Sequence, residues 1–162
     1  MRPERVLFVC LGNICRSPAA HAVFDHLAHL AGRAEEFITD SCGTGDWHTG
    51  DLADPRMRAV AKSHGVEMTH RARTFAASDF ENFDVIFVMD RSNRAEVLRR
   101  ARTEADRAKV QLFRPWDPER GGDEEVPDPY YGGEADFQEV WNMVHRAAAA
   151  YLATGPAQKS VP

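Results

Sequence analysis

The feature that most constrains the fold is an apolar run, Val6 to Val9, which leads through a short polar loop into an amphipathic segment. Such a short apolar run is typical of a buried strand, and apolar residues recur at helical spacing from Val23 to Leu30. We predict a strand over residues 5–9 and a helix with Ser17 as its N-cap and Pro18 at its first position. Strand, loop and helix in this order begin many α/β folds with parallel sheets.

Three further strand-like runs extend this unit. They cover residues 37–41, 85–89 and 110–113, and the second is the clearest central strand. Helical patterns separate them. Four strands alternating with helices predict a small doubly wound α/β fold with a four-stranded parallel sheet and helices on both faces. The loop after the first strand would then lie at the topological switch point, where ligands of such sheets bind.

The C-terminal third combines a long loop with a long helix. Residues 115–133 are rich in proline and glycine, which predicts an ordered loop or a lid. A final helix is indicated by apolar residues at helical spacing, namely Phe137, Val140, Trp141, Val144, Ala148 and Leu152. We predict one domain over residues 1–154 and a frayed tail over residues 155–162.

Composition narrows the class of protein. The chain has 162 residues, a formal net charge of −5 and three cysteines. An acidic chain is a poor general binder of nucleic acid or of membrane surfaces, although a local positive pocket is compatible with it. The sequence contains no long uninterrupted apolar segment, and three thiols suit a reducing compartment. We therefore expect a cytoplasmic protein with no nucleic acid or membrane partner.

The loop between the first strand and the first helix carries chemistry. Gly12 and Asn13 readily take left-handed backbone angles, so the loop can curl and direct its N–H groups into one concavity at a helix N-terminus. Arg16 adds a planar fork for two oxygens of an anion. Donors and a cation around Cys10 favour its thiolate. The sequence thus predicts a phosphate-like site with a cysteine nucleophile.

Two other interpretations of the cysteines are weaker. Most lone cysteines at strand ends are small buried residues without chemistry. A zinc site formed by Cys10, Cys15 and Cys42 lacks a paired, closely spaced motif, and the neighbouring Arg16 would repel the ion. We expect no metal and no other cofactor.

The segment from Cys10 to Pro18, C-L-G-N-I-C-R-S-P, resembles the signature of the low-molecular-weight protein tyrosine phosphatases. The resemblance implies a parallel sheet of order 2-1-3-4 and hydrolysis of phosphotyrosine and aryl phosphate monoesters through a cysteinyl-phosphate intermediate. It implies phosphotyrosine proteins or peptides as substrates and a cognate tyrosine kinase as a possible partner. We expect a monomer, or a weak homodimer if the apolar rings of Trp47 and Tyr131 are exposed.

The resemblance also assigns residues. Cys10 is the expected nucleophile, Arg16 binds phosphate oxygens, and Asp128 in D-P-Y-Y-G is the expected general acid, although Asp-Pro alone is more often a turn. The expected substrate-binding residues are Leu11, Gly12, Asn13, Ile14, Cys15, Ser17, Trp47, His48, Tyr130 and Tyr131. Ser41 and His70 match positions that hold the Asn13 side chain. From its place after the central strand, we expect Asp90 to orient Arg16.

Alternatives remain for the function and for Cys15. Cys15 is either a redox partner of Cys10 or a small residue that fills the loop, and Cys42 is expected to be structural. A thiol-dependent arsenate reductase needs further cysteines after the third strand, and residues 89–102 contain none. The related arginine phosphatases have threonine where this chain has Ile14, and Ile14 favours phosphotyrosine as the substrate. A non-catalytic phosphate-binding module would need neither Cys10 nor Asp128.

Overall fold

The computed structural model describes residues 2–154 and contains one four-stranded parallel sheet. Its strand order is β2-β1-β3-β4, and every neighbouring pair is parallel. The strands are β1 (Glu4–Cys10), β2 (Phe37–Gly43), β3 (Val85–Val88) and β4 (Val110–Leu112). The predicted fold class and strand order are therefore confirmed. The predicted tail over residues 155–162 lies outside the described residues.

Helices alternate with the strands. They are α1 (Arg16–Leu30), α2 (Pro55–Ser63), α3 (Asp79–Asn82), α4 (Arg91–Arg99), α5 (Glu104–Ala108) and α6 (Glu134–Leu152). Two short 3₁₀ turns, Ala34–Glu36 and Arg114–Trp116, complete the described part. No helix between residues 2 and 154 is long and apolar enough to cross a membrane.

Alternating residues of β1 separate two hydrophobic cores. Val6 and Phe8 belong to the larger core, which α1, α2 and α6 cover. Leu7 and Val9 belong to the smaller core, with residues of α3 and α4. Because successive side chains of a strand point to opposite faces, this division places helices on both faces of the sheet, as predicted.

The start of α1 corrects the sequence prediction. The helix begins at Arg16 with Cys15 in the N-cap position, so Ser17 is not the N-cap. The Ser17 hydroxyl instead contacts Cys10, Asn13 and Cys42. Two of these partners lie in the preceding loop and one in β2, and they satisfy the hydroxyl that a capping rule would assign to the helix end.

The long loop before α6 is ordered by a buried ion-pair cluster. Asp117 is buried and accepts bonds from Arg114 Nε (3.2 Å) and from Arg146 Nε (2.8 Å) and Nη2 (3.0 Å). Arg114 Nη1 also donates to the Glu125 carbonyl (2.9 Å). These contacts anchor the segment that leads to Asp128.

Candidate active site

The loop of residues 10–16 curls at Asn13, where φ is +57°, the only positive φ of a non-glycine residue in the described chain. Asparagine tolerates this left-handed backbone better than most residues. The Asn13 side chain is 1% exposed, and its amide is fully bonded. Its Nδ2 donates to Ser17 Oγ (2.8 Å) and Ser41 Oγ (3.1 Å), while its Oδ1 accepts from His70 Nε2 (2.9 Å) and the Arg73 N–H (3.1 Å).

The Ser17 hydroxyl lies within hydrogen-bond distance of Cys10. Its oxygen accepts from Asn13, so its own proton is left for Cys10 Sγ at 2.9 Å or the Cys42 carbonyl at 3.3 Å. Of these two atoms, Cys10 Sγ is the closer to the Ser17 oxygen. A hydroxyl that donates to sulfur stabilises the thiolate relative to the thiol.

Arg16 is buried and held from two sides. Its Nη1 donates to Asp90 Oδ2 (2.6 Å) and to the Val126 carbonyl (3.0 Å). Its Nη2 lies 3.7 Å from Asp128 Oδ2. Burial alone opposes its charge, but the neighbouring Cys10 and the hydrogen bond to Asp90 raise the pKa of Arg16. The site therefore contains a fixed positive charge beside the thiol.

Asp90 serves α4 and Arg16 at once. Its Oδ1 accepts from the Asn93 N–H (2.8 Å), which makes it the N-cap of α4 in a capping box. Its other oxygen, Oδ2, binds Arg16. The rigid end of β3 thereby sets the position of the guanidinium.

A cavity of about 370 Å³ opens over these groups. It is lined by Cys10, Leu11, Gly12, Ile14, Cys15, Arg16, Trp47, His48, Asp128, Tyr130 and Tyr131. Trp47 and Tyr131 form its exposed rim, at 69% and 96% exposure. Two of the predicted substrate-binding residues, Asn13 and Ser17, do not line the cavity.

Asp128 stands at the cavity with its carboxylate 41% exposed. The Tyr130 N–H donates to its Oδ1 (3.1 Å), and Oδ2 faces Arg16. One oxygen is thus held by the loop, and the other points toward the guanidinium.

Arg56, which the sequence analysis missed, ties this loop to α2. Its Nη2 donates to the Tyr130 carbonyl (3.0 Å), and its guanidinium stacks over the Phe137 ring at 4.4 Å. Asp54 binds the same guanidinium and donates its own N–H to the Ile14 carbonyl (2.8 Å). No local pattern marks a contact between residues 74 positions apart.

Gly43 is a second missed residue. A Cβ there would lie 2.5 Å from the Leu11 carbonyl oxygen and 3.1 Å from the Asn13 nitrogen. Only glycine allows the end of β2 to approach the loop this closely. A glycine two residues after a predicted strand was the available signal.

All three cysteines are free and buried. Burial, followed by the nearby Cys10, raises the pKa of Cys15. Burial also raises the pKa of Cys42, which packs in the smaller core beside Val9. Both thiols are therefore protonated near neutral pH, in keeping with the structural interpretation of Cys42.

The fold and the site define a class of protein. A thiol, a buried guanidinium and a carboxylate meet at the carboxyl end of a parallel sheet, where the first strand turns into a helix. This arrangement is typical of an α/β enzyme that binds phosphate-like oxyanions.

Comparison with known proteins identifies the family. The profile described as "Low molecular weight phosphotyrosine protein phosphatase" matches residues 5–160. A low molecular weight protein-tyrosine-phosphatase of Streptomyces coelicolor is 48% identical over 92% of each chain. A protein tyrosine phosphatase structure from Entamoeba histolytica has a TM-score of 0.87 and 42% identity, covering 92% of this chain and 94% of that one. An arginine phosphatase from Drosophila has a TM-score of 0.83 and 34% identity, with 91% and 94% covered.

The chain belongs to the low-molecular-weight phosphotyrosine protein phosphatase family and is a phosphatase of that type. The resemblance stated from the loop sequence is thereby confirmed. The fold and the enzyme class agree with it.

Proposed function

We propose that the protein hydrolyses phosphotyrosine and aryl phosphate monoesters through a phosphorylated Cys10. One observation carries the proposal. Asp128 is more than 100 residues away in the chain from the loop that carries Cys10 and Arg16, yet all three residues line one cavity. The family and its relatives support the same chemistry.

In the first step the Cys10 thiolate attacks phosphorus. An S–P bond forms as the P–O bond to the phenol breaks, and Asp128 gives its proton to the departing oxygen. Arg16 neutralises charge on the phosphoryl oxygens in the transition state. The products of this step are the free phenol, phosphorylated Cys10 and ionised Asp128.

In the second step Asp128 acts as a base. It takes a proton from a water molecule whose oxygen attacks phosphorus, and the S–P bond breaks to release inorganic phosphate and the thiolate. The Ser17 hydroxyl, 2.9 Å from Sγ, stabilises the thiolate as nucleophile and as leaving group. Because Arg16 supplies the positive charge, these steps require no metal.

The cavity walls favour a flat aromatic leaving group. Trp47, His48, Tyr130 and Tyr131 surround the opening, and the apolar Ile14 lies below them. Aromatic rings stack favourably on such walls. An arginine phosphatase is the second candidate because one structural neighbour has that activity, but Ile14 in place of threonine favours the aryl substrate.

The partners and location follow from the same proposal. The substrates are phosphotyrosine proteins, so a tyrosine kinase must produce them. Three free thiols suit the reducing cytoplasm. The exposed Trp47 and Tyr131 would support at most a weak homodimer that covers the cavity.

Hydrolysis of an aryl phosphate, a phosphotyrosine peptide and a phosphoarginine peptide tests the proposal, with reductant and a metal chelator present. We expect turnover of the first two, its loss in Cys10→Ser, and a fall of about 10² to 10⁴ in kcat/KM for phosphotyrosine in Asp128→Ala. Full activity of folded Cys10→Ser would refute the mechanism. Phosphate binding without turnover would indicate a binding module, and preference for phosphoarginine would indicate the second candidate.

A further inference from the structure

A second cluster of ligating side chains lies behind the loop, separate from the residues that line the Cys10 cavity. It comprises His21 from α1, Asp40 from β2 and His70 from the segment before α3. One ligand atom from each residue lies within 4.8 Å of the other two. All three side chains are partly buried, so their positions are restrained while solvent still reaches them.

One ring nitrogen of His70 bonds to Asn13, and the other faces Asp40. Its Nε2 donates to the Asn13 Oδ1 (2.9 Å), because that oxygen can only accept. In the neutral ring Nδ1 is then an acceptor, and it lies 3.6 Å from Asp40 Oδ1. Two acceptors facing each other leave room for a cation between them.

His21 is oriented in a comparable way. Its Nε2 lies 3.4 Å from Asp25 Oδ2, and its Nδ1 lies 3.3 Å from Ser41 Oγ. When Nε2 donates to Asp25, Nδ1 carries the lone pair on the side of Ser41. Histidines that bind metals characteristically donate their second ring N–H to a carboxylate or another oxygen acceptor, and both imidazoles have such an acceptor here.

An access path to the two histidines is also present. A cavity of about 520 Å³ is lined by both of them and also by Asp25, His26, His29 and Glu67. Asp40 is restrained on its far side, because its Oδ2 accepts from Arg73 Nε (2.9 Å). An ion can therefore reach the two histidines of the cluster without passing the Cys10 cavity.

We propose that His21, Asp40 and His70 form a zinc site, with water as the fourth ligand. Two imidazoles and one carboxylate, with one coordination position left open, bind zinc in preference to magnesium or calcium. Zinc ligands lie about 2.0 to 2.2 Å from the ion. Tetrahedral ligands at that distance from zinc are about 3.4 Å apart. The ligand atoms now lie within 4.8 Å of one another, so zinc binding requires each pair to approach by up to about 1.4 Å, and His70 keeps its bond to Asn13.

Calorimetric titration with Zn²⁺ tests the site in the Cys10→Ser protein, since the thiolate of Cys10 would itself bind zinc. We expect one zinc ion per chain. The melting temperature should rise by about 5 to 10 °C at a zinc concentration one hundred times Kd. With Co²⁺ as a spectroscopic probe, visible bands should appear without the thiolate charge-transfer band.

The His21→Ala and His29→Ala variants, both in the Cys10→Ser background, are a matched pair. Both lose a histidine of α1 that lines the same cavity, but only His21 belongs to the cluster. We expect at least about tenfold weaker zinc binding in His21→Ala and unchanged binding in His29→Ala. Melting without metal shows whether each variant is folded. Absent binding, equal losses in the two variants, or a thiolate band with Co²⁺ would overturn the proposal.

Discussion

At the scale of single residues, the site depends on how close the backbone segments approach. Asn13 takes a left-handed conformation, and its amide makes four bonds to groups from α1, β2 and the segment of residues 70–73. The bend at residues 12–13 and the partners Ser41 and His70 were expected from the sequence and its resemblance. The Arg73 backbone N–H was not, because main-chain donors carry no sequence signal.

Substituting Gly43 should disturb the loop without removing any chemical group. In Gly43→Ala the new Cβ would meet the Leu11 carbonyl, and the loop must move away. A displacement of about 1 Å at a reacting centre costs about 100-fold in rate, so we expect kcat/KM to fall by that order. The control is Gly122→Ala, where a Cβ meets nothing within 4 Å. Equal activity of both variants would contradict the close approach.

Asp90 is expected to act by positioning Arg16. Asparagine is also a good N-cap, so Asp90→Asn keeps the start of α4 and removes only the charge that holds the guanidinium. Loss of one charge-assisted hydrogen bond of about 1.5 to 3 kcal/mol predicts a decrease of about 10- to 100-fold in kcat/KM.

The same Asp90→Asn protein should bind inorganic phosphate more weakly as a competitive inhibitor. Asp84→Asn is the control, since Asp84 pairs with Arg5 just before the same strand and away from the site. If phosphate inhibits Asp90→Asn as strongly as it inhibits the wild type, Asp90 does not position Arg16.

At the scale of secondary-structure elements, α2 holds the loop that carries Asp128. Arg56 makes the contact, and we expect Arg56→Lys to lose the stacking and the forked bonds. Asp128 would then protonate the leaving oxygen less well. The expected result is a decrease of about tenfold in kcat/KM for phosphotyrosine and a small change for an aryl phosphate with an acidic phenol.

Lys62→Ala, on the same helix, is the control for Arg56→Lys. It should behave as wild type with both substrates. A loss in Arg56→Lys that is equal for the two substrates would mean that Arg56 acts on binding and has no effect on the acid.

Element boundaries were predicted unevenly. Asp54 and Pro55 begin α2 as their sequence indicates, with Asp54 as N-cap. Charged residues continue across the break between α4 and α5, so the sequence does not mark the end of α4 at Arg99. Ser17 failed as a cap because its hydroxyl has tertiary partners, which a local rule does not consider.

At the scale of the whole molecule, stability should depend on pH through Asp117. Burial opposes its ionisation, but hydrogen bonds from Arg146 and the Glu119 N–H, together with the charge of Arg114, lower the pKa of Asp117. An unfolded aspartate has a pKa of about 3.9. The stabilisation is therefore complete well above that value and is lost as the pH falls through the lower folded-state pKa.

We expect Asp117→Asn to lower the free energy of unfolding by about 3 kcal/mol at pH 7, because Arg114 and Arg146 lose a buried partner. Urea unfolding should show a smaller difference from wild type at pH 3. Asp123→Asn, at an exposed partner of Arg114, should cost less than about 1 kcal/mol. A deficit in Asp117→Asn that does not change with pH would rule out the charge as its cause.

The overall architecture was predictable because it depends on repeated, local patterns. The alternation in β1 divides two cores, and the helical spacing of residues 137–152 matches the buried face of α6. What the sequence did not reveal are contacts between distant segments, such as Arg16 with Val126 and Arg56 with Tyr130. Such pairs become neighbours only after the sheet has formed.

The central claim is that Cys10 carries the phosphoryl group. Rapid-quench reaction with a ³²P-labelled phosphotyrosine peptide, followed by mapping of the labelled residue, tests it directly. We predict label on Cys10 in the wild type and none in Cys10→Ala. Full turnover without labelled Cys10, or label on another residue, would contradict the account.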